Sequence, residues 1–157
     1  MRILILVLLT TISMPAFSQQ EKDTVYKRCP VFITDTVSSN NFFIEALPAT
    51  IKVERAGEIL KIIIQQRDQF FTIFFSDKKL KSGKYKIKVN PRDRDVSAKY
   101  SFLSGDQVSY VNVSSGLIEV IFDEEKDMWQ LKVNGMIANM VERSVTYYRV
   151  RADFYIM

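Results

Sequence analysis

Short apolar segments of alternating polarity recur along most of this chain, and turn-forming residues separate them. In the clearest segment, Lys84 to Val89, the residues Tyr85, Ile87 and Val89 alternate with three lysines. A period of two residues is typical of a β-strand with one buried face. After residue 18 no window carries the 3.6-residue period of an amphipathic helix. The pattern therefore predicts an all-β protein.

The alternation predicts eight to ten strands, spaced about ten residues apart, from eleven candidate segments. The segment Gln69 to Ser76 (QFFTIFFS) is apolar on both faces, as expected of a central strand. Pro30 places the first strand at an edge or a bend. Asn134-Gly135 is interpreted as a tight turn or bulge. The candidate strands are residues 25–33, 42–47, 50–54, 59–65, 69–76, 84–89, 99–103, 108–113, 117–122, 128–133 and 146–156.

This spacing favours an antiparallel β-sandwich of about eight to ten strands. An up-and-down, calycin-like barrel is the alternative, and it would leave no strand edge exposed. The sandwich is preferred because proline residues lie at possible edge strands.

The first eighteen residues read as a cleaved secretory signal. Arg2 supplies the positive start, and a ten-residue apolar run from Ile3 to Ile12 follows, too short to cross a bilayer about 30 Å thick. We therefore predict a signal peptide at 1–18, a flexible tail at 19–24 and a single β domain at 25–157. The mature protein would have no transmembrane segment and would be exported, to the periplasm or the cell exterior.

The composition excludes several kinds of site. The chain has no histidine, which removes the Ser-His-Asp and Cys-His arrangements and the commonest metal ligand. Its one cysteine, Cys29, cannot form an internal disulfide and is interpreted as a buried, inert thiol. The predicted mature chain has 139 residues, enough to fold around an apolar core without a metal or a disulfide. We expect no catalysis, no metal and no cofactor.

Positive charge is concentrated in one segment, from Lys78 to Arg94, which holds eight Lys or Arg residues and one acidic residue. Lys84, Lys86 and Lys88 would project from one face of a strand about 7 Å apart. Arg92 and Arg94 would extend this field from the following loop. Such a stripe can attract anionic glycans or an acidic protein surface, with an affinity that falls as salt rises. It is also typical of a solvated face that protects a sheet edge.

Two further groups of residues are candidate sites. The turn from Asp123 to Asp127 lacks the alternating ligands and the glycine of a calcium loop and is predicted to be a plain hairpin loop. Tyrosines on half-exposed strands can line a sugar-binding surface, because a ring stacks on a sugar and its hydroxyl forms hydrogen bonds. These tyrosines are Tyr100, Tyr110, Tyr147, Tyr148 and Tyr155.

Landmarks between residues 49 and 139 follow the pattern "G-x-L-x-I … G-x-Y … S-G-x-I-x-V … D … G". They include Gly83-Lys84-Tyr85, Ser115 to Val120 (SGLIEV) and Trp129 to Gly135 (WQLKVNG). In this pattern the chain resembles small exported β-rich proteins and lipoproteins of Bacteroidetes, mostly of unassigned function. The resemblance implies an exported β protein and carries no catalytic residue.

Together these observations predict a secreted, non-catalytic binding module for an anionic glycan or an acidic protein surface, with no specific nucleic-acid partner. Its predicted ligand-binding residues are Lys84, Lys86, Lys88, Arg92 and Arg94. One alternative is a structural or assembly protein that pairs an edge strand with a partner. A second alternative, if the fold is a barrel, is a carrier of a small apolar ligand.

Overall fold

A computed structural model describes residues 23–90, 96–141 and 144–157. In these ranges the chain forms ten strands and no helix, so none of the described residues belongs to a helix able to cross a membrane. The predicted signal peptide and residues 19–22 of the predicted tail lie outside the described ranges. The strands are β1 (Thr24–Tyr26), β2 (Val31–Asp35), β3 (Ala49–Ala56), β4 (Ile59–Gln66), β5 (Gln69–Phe75), β6 (Gly83–Ile87), β7 (Val96–Ser104), β8 (Gln107–Asp123), β9 (Met128–Val141) and β10 (Ser144–Ile156).

The ten strands form one continuous sheet in the order β1-β3-β4-β5-β7-β6-β8-β9-β10-β2. Every neighbouring pair is antiparallel except β6 and β7, which meet in a single parallel pair at Ile87 and Val96. The sheet is curled into a half-barrel. The predicted all-β, mostly antiparallel fold is therefore confirmed, as is the number of strands.

The curl is required by the connection between β1 and β2. These strands are consecutive in the sequence and stand at opposite ends of the sheet order, yet only residues 27–30 separate them. The backbone of this link reaches the far side of the sheet, where the Asp153 N–H donates to the Pro30 carbonyl at 3.4 Å. Four residues cannot span a flat ten-stranded sheet, so its two ends must lie close together.

The concave face of the sheet holds the hydrophobic core, because alternate residues of each strand point inward. On β10 the inward set is Val150, Ala152, Phe154 and Ile156, all buried. Cys29 is also buried, as predicted, and burial raises the pKa of its thiol. The remaining interior positions on the other strands are mainly Ile, Val, Leu and Phe with almost no exposed surface.

Several predicted strand boundaries are wrong. Residues 25–33 form two strands, β1 and β2, because Cys29 and Pro30 turn the chain from one end of the sheet to the other. Residues 42–47 form turns instead of a strand. Their apolar side chains read as a strand because Phe43 is fully buried against the core. Residues 108–113 and 117–122 belong to one long strand, β8.

The two longest neighbouring strands bend where two glycines face each other, Gly116 on β8 and Gly135 on β9. A side chain on Gly116 would overlap the backbone of Asn134, and one on Gly135 would meet a Val113 methyl at 2.8 Å. The extra residue of the bulge lies on β8, between Val113 and Ser115. The predicted turn or bulge at Asn134-Gly135 is therefore wrong in its details: β9 continues to Val141, and β8 carries the irregularity.

Candidate functional site

At one end of the half-barrel the inward-facing residues change from aliphatic to aromatic and polar. Along β5 the inward set runs Phe75, Ile73, Phe71 and then Gln69, and along β9 it includes Asn139 near the same end. Tyr100 and Phe102 end the series on β7, and Tyr148 precedes it on β10. Because the strands are in register, these terminal positions meet at the same end of the sheet.

These side chains line an open cleft of about 440 Å³ at the mouth of the half-barrel, which we call the aromatic cleft. Clefts that bind small molecules commonly have volumes of 300–1,000 Å³ and occur at the mouths of β-barrels. The lining residues are Ile33, Phe42, Asp68, Gln69, Tyr100, Phe102, Val111, Ile137, Asn139 and Tyr148.

Four aromatic rings form the walls of the cleft, with Phe42 between the two tyrosines. The Phe42 ring is nearly parallel to that of Tyr100, with centroids 6.1 Å apart, and lies edge-on to Tyr148 at 5.1 Å. Tyr100 also contacts Phe102, at 5.9 Å. Phe42 keeps 39% of its surface exposed. The cleft therefore offers ring faces to solvent in a group held together by its own contacts.

The polar groups of the cleft are mainly hydrogen-bond acceptors or amides. The side-chain oxygen Oε1 of Gln69 is buried and has no hydrogen-bond partner among the described residues. Burial, and then the Asp68 carboxylate, raise the pKa of Tyr100, so its hydroxyl stays protonated at neutral pH. A buried acceptor without a partner costs about 1–3 kcal/mol. Native structures contain few such atoms, so this one requires an explanation.

The predicted lysine site lies elsewhere, on β6. Lys84 and Lys86 are exposed on its outer face, while Tyr85 and Ile87 point inward, as predicted. The prediction is wrong for Val89, which lies beyond the end of the strand and is exposed. Lys88 follows the strand and is exposed. Arg92 and Arg94 lie outside the described residues, so their role in the predicted site stays a prediction.

Carboxylates neutralise part of this positive field. Lys84 Nζ lies 3.8 Å from Glu119, Lys81 Nζ lies 2.8 Å from Asp77, and Lys78 Nζ lies 3.2 Å from Glu58. The hydrogen bond from Lys81, and then that from the Lys79 N–H, hold the pKa of Asp77 below its usual range. A second, more polar cleft of about 730 Å³ includes Lys79, Lys81 and Lys84 together with Glu58 and Asp77.

The acidic turn forms the predicted hairpin loop between β8 and β9. Lys126 closes it: its Nζ lies 2.9 Å from Asp123 and 2.9 Å from the Tyr155 hydroxyl. The hydrogen bond from Lys126 lowers the pKa of Asp123, and the hydrogen bonds to Tyr155 and then to Asp123 raise the pKa of Lys126. Across the part of the chain that the structure describes, no group of three or more Cys, Asp or Glu residues could hold a metal ion.

The structure places two of the five tyrosines considered as a sugar-binding surface, Tyr100 and Tyr148, in the aromatic cleft. Tyr110 and Tyr147 are exposed on the convex face. Tyr155 contacts Lys126, whose Nζ lies 4.2 Å from its ring centroid.

Sequence reasoning did not identify the other cleft residues. The sequence does contain a signal for Gln69, because a polar residue at an inward position of an apolar strand indicates a possible site. Asn139 had none, since its strand was predicted to end at Val133. Phe42 was assigned to a strand that does not exist, and Asp68 and Phe102 were not singled out.

The chain was compared with protein-family models, with curated proteins and with solved structures, and none of the three comparisons finds a match.

Proposed function

We propose that this protein is a non-catalytic binding module that takes a neutral sugar unit in the aromatic cleft. The observation that carries the proposal is the unpartnered Oε1 of Gln69 beside the rings of Tyr100, Tyr148 and Phe42. A sugar has an apolar face that stacks on aromatic rings and hydroxyl groups that donate hydrogen bonds. Gln69 borders the cleft, and its Oε1 has almost no exposed surface in the folded chain. A sugar hydroxyl would donate to this unpaired oxygen once the amide turns toward the ligand.

The charge of the cleft favours a neutral ligand over an anionic one. Of the ten residues that line it, Asp68 alone carries a charge at neutral pH. A carboxylated or sulfated ligand would be repelled by this carboxylate, whereas hydroxyl groups can donate to it.

The polar lining also argues against a carrier of a purely apolar ligand. Such a ligand would leave Gln69 Oε1 unpaired. It would also displace water from the polar groups of Asp68 and Asn139 and would offer no hydrogen bonds in place of those the water made. The interior below the cleft is occupied by fully buried side chains such as Phe71, Ile73 and Val150. A ligand would therefore bind at the mouth of the half-barrel.

The test is binding of the purified protein to a panel of neutral and anionic saccharides by calorimetry, at low and high salt. Tyr148→Ala removes one wall of the cleft, and Tyr147→Ala removes the neighbouring ring on the opposite face of β10. We expect Tyr148→Ala to weaken neutral-sugar binding about tenfold, the equivalent of about 1.4 kcal/mol for one lost stacking contact. Tyr147→Ala should leave the affinity unchanged. No binding of any neutral saccharide, or an equal effect of both substitutions, would refute the proposal.

Binding of an anionic glycan at the lysine face, formed by Lys84, Lys86 and Lys88, is the second candidate. Its support is the exposure of Lys84 and Lys86 side by side and the 730 Å³ cleft that Lys84 borders. Against this candidate, Lys84 and two nearby lysines form ion pairs with carboxylates, which reduces the positive charge available to an anionic ligand. If this candidate is correct, only sulfated or carboxylated glycans should bind in the same experiment. Their binding should be lost at high salt and should not change in Tyr148→Ala.

Pairing of an edge strand with a partner has less support. The terminal strand β1 has three residues, and the outer edge of β2 is already hydrogen-bonded to residues 40–42. Little backbone on either strand remains for augmentation. Export, if the predicted signal is used, would place the module in the periplasm or outside the cell.

A further inference from the structure

One wall of the aromatic cleft comes from a segment without regular structure, residues 40–47, which we call the wall segment. It supplies Phe42 to the cleft and buries Phe43 directly beneath, where the Phe43 ring meets Tyr100 edge-on at 5.7 Å. A loop can hold a ring in one place only if its backbone is fixed at several points.

Hydrogen bonds to the backbone of β2 and of the link that precedes it fix the wall segment at both ends. The Phe42 N–H donates to the Ile33 carbonyl at 3.0 Å, and the Ile33 N–H donates to Asn41 Oδ1 at 3.0 Å. At the other end the Cys29 N–H is shared between the carbonyls of Glu45 and Leu47, at 3.0 and 2.8 Å.

A single buried side chain fixes the middle of the segment from the other side of the half-barrel. Gln66, the last residue of β4, is 4% exposed. Its Nε2 donates to the Ile44 carbonyl at 2.9 Å, and its Oε1 accepts from the Ile44 N–H at 3.4 Å. Because β4 and β2 are far apart in the sheet order, Gln66 ties the wall segment across the opening.

We propose that Gln66 is a positioning residue: it holds the wall segment, and through it Phe42, in the geometry that receives the ligand. The part of this inference that concerns binding rests on the proposed function. The part that concerns the position of Phe42 does not. Gln66 is absent from the lining of the cleft, so its effect on binding would be indirect.

The test exchanges the amide for a group whose hydrogen bonding depends on pH. In Gln66→Glu a carboxylate faces the Ile44 carbonyl and cannot donate to it. The protonated acid restores both bonds, because its O–H donates and its C=O accepts. Burial raises the pKa of such a carboxyl above its ordinary value near 4.3. We expect the contact to be broken at pH 8 and restored at pH 5.

The first readout is the NMR shift of the Phe42 ring, which senses the ring currents of Tyr100 and Tyr148 and needs no ligand. In Gln66→Glu this shift should move toward the value of a solvent-exposed ring at pH 8 and return to the wild-type value at pH 5. The second readout is binding of cellobiose, maltose and chitobiose. For any of these that binds the wild-type protein, the variant should bind at least tenfold more weakly at pH 8 and recover at pH 5.

Two comparisons separate this effect from the titration of other groups. The wild-type protein over the same pH range controls for the charged residues next to the wall segment and next to Gln66. These residues are Arg28, Glu45, Arg67 and Asp68. Gln65→Glu places the same charge on the preceding residue, whose side chain points to the opposite face and donates from Nε2 to the Arg67 carbonyl. Gln65→Glu should show neither the shift nor the recovery.

If Gln66→Glu does not fold at pH 8, Gln66→Leu replaces it and should displace the Phe42 ring at both pH values. A Phe42 ring that keeps its wild-type shift in a folded Gln66 variant at pH 8 would overturn the inference, as would a displacement in Gln66→Glu that acid does not reverse. If no neutral saccharide of the panel binds the wild-type protein, the proposed function fails, while the ring shift still decides the role of Gln66.

Discussion

Tyr26 and Tyr155 join the two ends of the sheet through two hydrogen bonds made by one phenol group. The Tyr155 backbone N–H donates to the Tyr26 hydroxyl oxygen at 2.8 Å, and that hydroxyl donates to the Tyr155 carbonyl at 3.1 Å. Tyr26 lies on β1, at one end of the sheet order, and Tyr155 lies on β10, next to the other end. A side chain therefore takes the place of strand pairing across this gap.

Tyr26→Phe should lower the free energy of unfolding by about 1–3 kcal/mol, because it leaves two partly buried backbone groups of Tyr155 unpaired while the ring stays in place. The measurement is urea denaturation at pH 7. Tyr147→Phe, at an exposed ring, should change stability by less than about 0.5 kcal/mol. Equal stability of the two variants would show that the phenol does not contribute to closure.

The same residue makes stability sensitive to alkaline pH. Burial raises the pKa of Tyr26 above its ordinary value near 10, although the hydrogen bond from the Tyr155 N–H partly opposes this. Above pH 10 the unfolded chain loses the proton that the folded chain keeps, so the free energy of unfolding should fall as pH rises through the folded pKa. Well below pH 10 the hydroxyl is protonated in both the folded and the unfolded chain, so it should add nothing to the change of stability with pH. Urea midpoints between pH 8 and pH 11 should decline less in Tyr26→Phe, with the remaining decline due partly to Tyr100, whose pKa is also raised.

Gly116→Ala should destabilise the protein by at least about 2 kcal/mol more than Gly105→Ala. Both glycines have positive φ, 149° and 60°, so each substitution carries a backbone cost. Gly105 faces open space, whereas a Cβ on Gly116 would overlap the backbone oxygen of Asn134. The difference between the two variants in thermal or urea unfolding reports the close approach of β8 and β9 together with the higher backbone cost of a φ near 149°. Similar losses would mean that the two strands can separate without penalty.

Gln69→Leu should separate stability from binding. Removing a buried acceptor that has no partner should leave the free energy of unfolding unchanged or raise it by about 1 kcal/mol. Binding of a neutral sugar should weaken about tenfold, because the hydroxyl that paired with this oxygen loses its partner. Calorimetry and urea denaturation of the same preparation measure both. A variant that is destabilised, or that binds as well as the wild type, contradicts the assignment of this oxygen to a ligand.

Lys84/Lys86/Lys88→Glu tests the second candidate function. If the lysine face binds anionic glycans, this variant should lose that binding entirely, and the wild-type affinity should fall steeply between 50 and 500 mM salt. Lys27/Lys52/Lys61→Glu makes the same change in net charge elsewhere and should retain most of the binding. Neutral-sugar binding in the aromatic cleft should survive both triple substitutions, as calorimetry on the same panel would show.

The alternation of polarity predicted the fold class because strands with one buried face impose a period of two residues. It predicted the face assignments of β6 and β10 correctly, for example the inward Ile87 and Phe154. Strand order was beyond the sequence, since pairing of β10 with β2 joins segments more than 100 residues apart and leaves no local signal. The bend at Gly116 and Gly135 was equally hidden, because either glycine alone reads as a turn.

The candidate site was predicted only in part. Tyr100 and Tyr148 were considered for sugar binding, but the sequence could not separate them from Tyr110 and Tyr147, because which face of a sheet is concave depends on tertiary structure. The wall segment was mistaken for a strand, since Phe42 and Phe43 carry the apolar signal of one. Their role comes from contacts made across the half-barrel, which no local pattern encodes.

The four-residue link between β1 and β2 also sets the order of events during synthesis. β2 pairs with β10, the most C-terminal strand, so it must wait for nearly the whole chain to emerge. Until then the N-terminal segments have no partner on that side, and the half-barrel cannot close. Non-local pairing of this kind is slow, so the newly made chain should stay open for a comparatively long time. The delay makes the open intermediate the stage at which aggregation competes with folding.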